Sequence, residues 1–92
     1  MNETGEPNRS MRLDRLLVFL RFARTRSIAR TMIESGHMRL NGQRVNKISH
    51  EVVIGDVLTL SWRGEVCVAR IKHLPKRRLS ATQAELAWNR IA

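Results

Sequence analysis

Arginine dominates the side chains that could do chemistry, and most of it lies in residues 9–47. This segment has ten basic residues against two acidic ones, a local balance of +8 within a total of +9 for the 92-residue chain. Arginine presents a planar fork of five N–H donors that suits phosphate oxygens and base edges. So concentrated a positive charge predicts a polyanionic partner, with nucleic acid ahead of an anionic membrane.

Other chemistry finds little support in the sequence. The three histidines, His37, His50 and His73, are dispersed and lack metal-ligand spacing, and Cys67 is the only cysteine. Paired carboxylates and a nucleophile with a nearby base are not evident. We therefore expect no catalytic residues, metal site, cofactor or small-molecule substrate.

The compartment is predicted from what the sequence lacks. A lone cysteine allows no intramolecular disulfide, and the N-terminal Glu3 and Glu6 do not suit a secretory signal. The apolar run from Leu16 to Leu20 is broken by Arg21 and falls short of the roughly 18 residues that span a bilayer. We predict a cytoplasmic protein that does not cross a membrane, and we expect a monomer.

A first helix should begin at Leu13 and end near Ala23. Val18, Phe19 and Phe22 lie on its other sides, so a second element should cover part of them. The main apolar face of this first helix follows the i, i+3, i+4, i+7 spacing through Leu13, Leu16, Leu17 and Leu20.

A second helix should follow directly, with Thr25 as its N-cap and Gly36 closing its end. On a helical wheel its apolar and charged residues separate into two edges. The apolar edge consists of Ile28, Ala29, Met32 and Ile33, and the opposite edge of Arg26, Arg30 and Glu34.

The hydrophobic period changes to two after Gly36, which predicts strands. Asn41-Gly42 tolerates the positive φ angles of a type I′ turn and therefore predicts a tight hairpin, with Val45 beginning its return. Further extended segments are predicted at 52–54, 57–62 and 65–71, giving a small, mostly antiparallel sheet.

A third helix is predicted after the basic cluster at 76–78. Ser80 and Gln83 fit a capping box, and Ala84, Ala87, Trp88 and Ile91 form an apolar stripe. We expect Trp88 and Ile91 to cover helix one around Val18 and Phe22.

These elements predict an α+β fold in which two N-terminal helices pack on a small, mostly antiparallel sheet, with an additional C-terminal helix. The predicted organisation is a disordered tail at 1–10, a binding domain at 11–72, and a basic linker with the C-terminal helix at 73–92.

The motif order resembles that of a known family. The motifs in question are Arg12-Leu13-Asp14, Thr25-Arg26, Ala29, Ile33, Gly36, Asn41-Gly42, Lys47 and Gly55-Asp56. They are similar to the RNA-binding domain first named from small-subunit ribosomal protein S4, with its alpha-L arrangement of helices and hairpin. Among carriers of that domain, the short length and the tail sequence KRRLSATQAEL resemble the bacterial ribosome-associated heat shock protein 15 family.

The resemblance implies a partner and a surface. It implies binding of ribosomal RNA on the large subunit, including stalled subunits that hold peptidyl-tRNA, and a role in rescue or quality control. Charge and resemblance together predict an RNA-binding surface, called the basic face below, made of Arg12, Arg15, Arg24, Arg26, Arg30, Arg39, Arg44 and Lys47. Leu13, Leu17, Ala29 and Ile33 should build the core, and Asp14 should offset the partial positive charge at the start of helix one.

Several alternatives fit the same sequence. A helix-turn-helix DNA-binding protein would also place a basic helix after a short turn. The same RNA-binding domain occurs fused to enzymes, although no catalytic part is evident here. An anionic-membrane binder would need a free apolar helix face, and a merely solvated charged surface is the simplest reading of all.

Overall fold

The computed structural model describes residues 9–92, so most of the predicted N-terminal tail, residues 1–8, lies outside the described residues. Arg9 and Ser10 end that predicted tail, and both make contacts. The Arg9 guanidinium donates hydrogen bonds to the backbone carbonyls of Leu74 and Pro75, and the Ser10 hydroxyl donates to the Glu51 carboxylate.

The fold is α+β, as predicted, and residues 9–92 contain three helices and a mostly antiparallel sheet. The first half of the described chain contains β1 (Met11–Arg12), α1 (Leu13–Phe19), α2 (Arg26–Glu34), β2 (Arg39–Leu40) and β3 (Gln43–Arg44). The second half contains β4 (Glu51–Val52), β5 (Val57–Trp62), β6 (Glu65–Ile71), α3 (Ala81–Leu86) and β7 (Trp88–Arg90). The main sheet has the antiparallel order β3-β2-β5-β6-β7, and β1 pairs separately with β4.

Helices α1 and α2 pack mainly through the side chains that the helical spacing selects. Ile28 is the exception, because it is 45% exposed, so the apolar edge predicted for α2 is wrong at this position. The four predicted core residues Leu13, Leu17, Ala29 and Ile33 are all fully buried. Thr25 caps α2 as predicted, because its hydroxyl accepts a hydrogen bond of 3.1 Å from the Ile28 backbone N–H. The two helices are thus held against each other and against the sheet.

Helix α1 ends at Phe19, and the predicted end near Ala23 is wrong. The chain leaves the helix through a Schellman motif, in which the Phe22 N–H donates to the Leu17 carbonyl and the Arg21 N–H donates to the Val18 carbonyl. Arg21 takes the left-handed conformation, with φ of 65°. Glycine normally occupies this position, so the sequence carried no signal for the end of the helix.

The Asn41-Gly42 hairpin forms as predicted, with φ angles of 53° and 82°. The Asn41 side chain donates to the Asp56 carboxylate over 3.0 Å and accepts from the Val57 N–H over 2.9 Å. Asp56 in turn accepts from the Val53 N–H. The Asn-Gly and Gly-Asp motifs therefore join the hairpin to the start of β5, which is a structural role.

The strand predicted at 52–54 is shorter than expected. It comprises only Glu51–Val52, and Val53 and Ile54 are exposed because the chain turns at Gly55. The strands predicted at 57–62 and 65–71 are confirmed with the same bounds. Cys67 lies buried in β6, where burial raises the pKa of its thiol.

The C-terminal segment is only partly helical. The Ser80–Gln83 capping box is confirmed, but α3 ends at Leu86, and Trp88–Arg90 forms the edge strand β7 instead of another helical turn. Trp88 packs on Phe22 as predicted, at 5.1 Å between ring centres. The predicted contact of Ile91 with α1 is wrong, because Ile91 is 49% exposed. Pairing with the edge of β6 overrides the helical pattern.

Candidate nucleic-acid interface

Asp14, the second residue of α1, joins three elements through its buried carboxylate. Its Oδ1 accepts from Arg12 Nε at 3.1 Å and from the Arg15 backbone N–H at 2.9 Å. Its Oδ2 accepts from Arg12 Nη2 at 3.1 Å and from Arg26 Nη2 at 2.9 Å. One carboxylate therefore fixes an arginine from β1 next to an arginine from α2.

This contact positions the two arginines and leaves several of their N–H donors available. The side chains of Arg12 and Arg26 remain 39% and 49% exposed, whereas that of Asp14 is 0% exposed. Each guanidinium has five N–H donors, and Asp14 takes two from Arg12 and one from Arg26. The remaining donors can bind a phosphate, because two positive charges against one negative leave the cluster cationic.

The carboxyl of Asp14 stays ionised over a wide pH range. Burial raises its pKa, but hydrogen bonds from Arg26 and Arg12 and the charges of both arginines outweigh burial and hold the pKa below its ordinary value of 3.8. A group whose pKa is lower in the folded state stabilises the fold above its unfolded pKa, and this contribution is lost as pH falls through the folded value.

A pH series of unfolding free energies tests this contribution. The wild type should exceed Asp14→Asn in stability by a constant amount above about pH 5, and the difference should shrink below about pH 4. Urea unfolding of both proteins at a series of pH values measures it. A difference that stays constant down to about pH 2 would contradict the lowered pKa of Asp14.

Lys47 is brought towards the same cluster by its loop. The Leu13 N–H donates to the His50 carbonyl at 2.8 Å, and the Asp14 N–H donates to the Ile48 carbonyl at 3.2 Å. These bonds fasten the loop after β3 to the first residues of α1. Lys47 is exposed and precedes Ile48 in this loop, so its backbone is held near the start of α1.

The hairpin carries a second pair of arginines. Arg39 and Arg44 are direct partners across β2 and β3, and both are exposed. Like charges at opposed positions of an antiparallel pair repel each other, with Cβ atoms about 5 Å apart. A bound anion would relieve that repulsion. Arg44 Cδ also lies 3.9 Å from the point where a Cβ would stand on Gly36, so this pair adjoins the C-terminal end of α2.

Helix α2 connects the two arginine pairs. Arg26 is its first residue and belongs to the Asp14 cluster, whereas Gly36, just past its end, adjoins Arg44. Nine helical residues span about 13 Å, and Arg30 lies exposed between the two pairs. Arg15 and Arg24 are exposed as well, on α1 and in the loop before α2. Within residues 9–92 neither of their side chains forms a hydrogen bond or ion pair with either arginine pair, although the Arg15 backbone N–H donates to Asp14.

Asp14 is the site residue whose role the sequence reasoning missed. It was expected to complement the helix dipole, and it does accept the Arg15 N–H, but its larger role is to position Arg12 and Arg26. The available signal was the Arg-x-Asp spacing. An acid that lies two residues after an arginine and at the start of a helix can accept hydrogen bonds from that arginine and from the first turn of the helix.

The remaining titratable groups form no metal centre in residues 9–92, where no three His, Cys, Asp or Glu side chains lie close enough together to hold an ion. The three histidines occupy separate exposed loop positions. Within the same residues, no helix has the length and apolarity to cross a membrane.

Comparison with known proteins finds one family model and several similar chains. Residues 11–58 match the S4 domain family, a span that includes the whole basic face. The heat shock protein 15 homolog of Haemophilus influenzae is 40% identical over 80 residues, which cover 87% of this chain and 60% of that protein. The small ribosomal subunit protein uS4 of Fusobacterium nucleatum is 41% identical over 49 residues, which cover 53% of this chain and 25% of that protein.

A solved structure extends the likeness beyond the S4 domain. Heat shock protein 15 of Vibrio cholerae, solved as a trimer at 2.3 Å resolution, superposes with a TM-score of 0.83 at 36% identity, over 91% of this chain and 84% of that chain. The chain belongs to the S4 family of RNA-binding domains and, within it, to the heat shock protein 15 family. It spans 60% of the length of its Haemophilus relative.

Proposed function

We propose that this protein binds structured RNA through the basic face and catalyses no reaction. The observation that carries the proposal is the arrangement of two arginine pairs, one held by buried Asp14 and one opposed across the hairpin, at the two ends of α2. A fold that brings positive charges together at both places favours the binding of a polyanion.

RNA suits this surface better than duplex DNA. A groove-reading helix concentrates its base contacts on one element, whereas the charges here spread over α1, α2, the hairpin and the loop carrying Lys47. RNA is recognised over such surfaces through shape, backbone and 2′-hydroxyl groups. Competition at fixed salt between a ribosomal RNA fragment and duplex DNA of equal length tests the preference. We expect the RNA to displace the DNA, and equal displacement in both directions would contradict it.

We propose that the bound RNA is ribosomal RNA of the large subunit. The proposed role of the protein is in rescue or quality control of stalled ribosomes. Membership of the heat shock protein 15 family and the likeness to a ribosomal protein support this. Sedimentation with separated subunits provides the test. Binding should favour large subunits, and most strongly those that carry peptidyl-tRNA. A preference for small subunits, or none, would overturn the large-subunit proposal.

The proposed location is the cytoplasm, where ribosomes are, and the proposed state is a monomer that needs no cofactor. The trimer of the Vibrio cholerae relative is the competing possibility for oligomeric state. Light scattering across a concentration series, with and without RNA, distinguishes one copy from three by mass.

A further inference from the structure

A cleft of about 190 Å³ lies at the opposite end of α1 from Asp14, and the basic face does not include it. The turn after α1, the turn between β5 and β6, and helix α3 form its walls. Its chemically distinctive lining residues are Arg21, Trp62, Arg63, Glu85 and Trp88. Two cations, two indole rings and a carboxylate therefore meet around this cleft.

The two arginines of the cleft occupy positions where the backbone favours other residues. Among residues 9–92, three that are not glycine have positive φ, and two of these are Arg21 at 65° and Arg63 at 55°. Arg21 stands where a Schellman motif usually has glycine, and Arg63 precedes Gly64 in a tight turn that favours asparagine or glycine. The backbone conformation therefore does not favour arginine at either place, and the role of each arginine depends on what its side chain contacts.

Both side chains are preorganised. The Arg63 guanidinium carbon lies 4.2 Å from the centre of the Trp62 ring, as in a cation–π contact. Trp62 is held by ring contacts with Phe22 at 5.3 Å and Trp88 at 5.4 Å. Arg21 Nε donates to the Leu79 carbonyl at 2.6 Å, so its two terminal nitrogens keep their donors.

We propose that this cleft binds one unstacked nucleotide of the RNA. The base stacks on the guanidinium plane of Arg63, which Trp62 supports, and Arg21 binds the adjoining phosphate. Glu85 accepts a hydrogen bond from an exocyclic amine, so adenine is preferred over uracil. The inference rests on the RNA binding proposed above and adds a second site that reads a single base.

Three RNA hairpins with the same stem test the proposal: one continuous, one with a bulged adenosine and one with a bulged uridine. Both tryptophans of the chain line the cleft, so a change in their emission on binding reports its occupancy. The wild type should bind the bulged-adenosine hairpin roughly tenfold more tightly than the continuous one, in keeping with the contribution of one stacked base. The bulged uridine should fall between the two.

The variant Arg21→Gly with Arg63→Asn removes both cations while placing residues that suit left-handed turns, so it should stay folded. We expect it to bind all three hairpins equally. The control Arg70→Gln with Lys72→Gln loses the same charge at exposed positions towards the other end of β6 and should keep the preference for bulged adenosine.

The outcomes separate this inference from the proposed function. A wild type that binds all hairpins equally, with an affinity that falls in Arg26→Ala plus Arg30→Ala, would overturn the cleft and leave the basic face intact. Retention of the adenosine preference in Arg21→Gly with Arg63→Asn would overturn the cleft as well. A wild type that binds none of the hairpins would overturn both proposals.

Discussion

Replacing Asp14 with asparagine should weaken RNA binding roughly tenfold, even though the change adds one unit of positive charge to the chain. The carboxylate fixes Arg12 and Arg26 side by side, and the neutral amide cannot hold both guanidinium groups. Each arginine must then be ordered when RNA binds, at a cost of about 0.5 to 1.5 kcal/mol per side chain. Fluorescence anisotropy with a labelled ribosomal RNA fragment measures the loss.

The matched control is Glu34→Gln, which adds the same unit of charge at an exposed position near the end of α2. Its affinity should equal or exceed that of the wild type, because long-range electrostatic attraction grows with net charge. Asp14→Asn should also lower the free energy of unfolding by about 2 kcal/mol, because the substitution removes the charged hydrogen bonds of a buried carboxylate. Binding is therefore compared where both variants are folded. Tighter RNA binding by Asp14→Asn would show that net charge, and not placement of the arginines, governs affinity.

Replacing Trp88 with alanine should lower the free energy of unfolding by about 3 to 5 kcal/mol. Trp88 is only 8% exposed, contacts Phe22 and Trp62, and begins the strand that closes the sheet against β6. Because a domain of this size is stabilised by about 5 to 15 kcal/mol in all, the variant should unfold at much lower urea concentration, as followed by far-ultraviolet circular dichroism.

Two neighbouring variants serve as controls for Trp88. Leu86→Ala and Ile91→Ala remove apolar side chains that are 64% and 49% exposed, so each should change stability by no more than about 0.5 kcal/mol. If Ile91→Ala destabilised the protein as much as Trp88→Ala, the assignment of Ile91 to the surface would be wrong. A loss below about 1 kcal/mol for Trp88→Ala would contradict the buried aromatic cluster.

The elements could be predicted where local chemistry and tertiary structure agree. The apolar spacing of α1, the Thr25 cap of α2 and the Asn41-Gly42 turn all act within a few residues, and each appears as expected. The end of α1 could not be found, because Arg21 adopts a conformation that its own side chain disfavours. Strand β7 could not be predicted either, because its residues follow a helical period and form a strand only by pairing with the edge of β6.

The candidate site was predictable in its composition but not in its arrangement. Charge density identified the arginines of the basic face, because that property is visible residue by residue. The sharing of Asp14 by Arg12 and Arg26 depends on how α2 packs on α1, and the opposition of Arg39 to Arg44 depends on hairpin register. Arg21 and Arg63 were not singled out, because they lie 42 positions apart in the sequence and only the fold places them around one cleft.

We propose that RNA binding depends on the positions of the arginines on the basic face and not on positive charge in general. The most direct measurement compares the salt dependence of ribosomal RNA affinity for the wild type, Arg26→Ala with Arg30→Ala, and the charge-matched Arg70→Gln with Lys72→Gln. Each phosphate contact contributes roughly 0.7 to 0.9 to the slope of log affinity against log salt.

We predict that the Arg26 and Arg30 variant loses at least about tenfold in affinity at moderate salt and that its salt slope flattens by about 1.4 to 1.8, the share of two contacts. The Arg70 and Lys72 variant should keep a slope close to that of the wild type. Equal losses and equal slopes for the two variants, or an unchanged affinity in the first, would contradict the basic face as the RNA-binding surface.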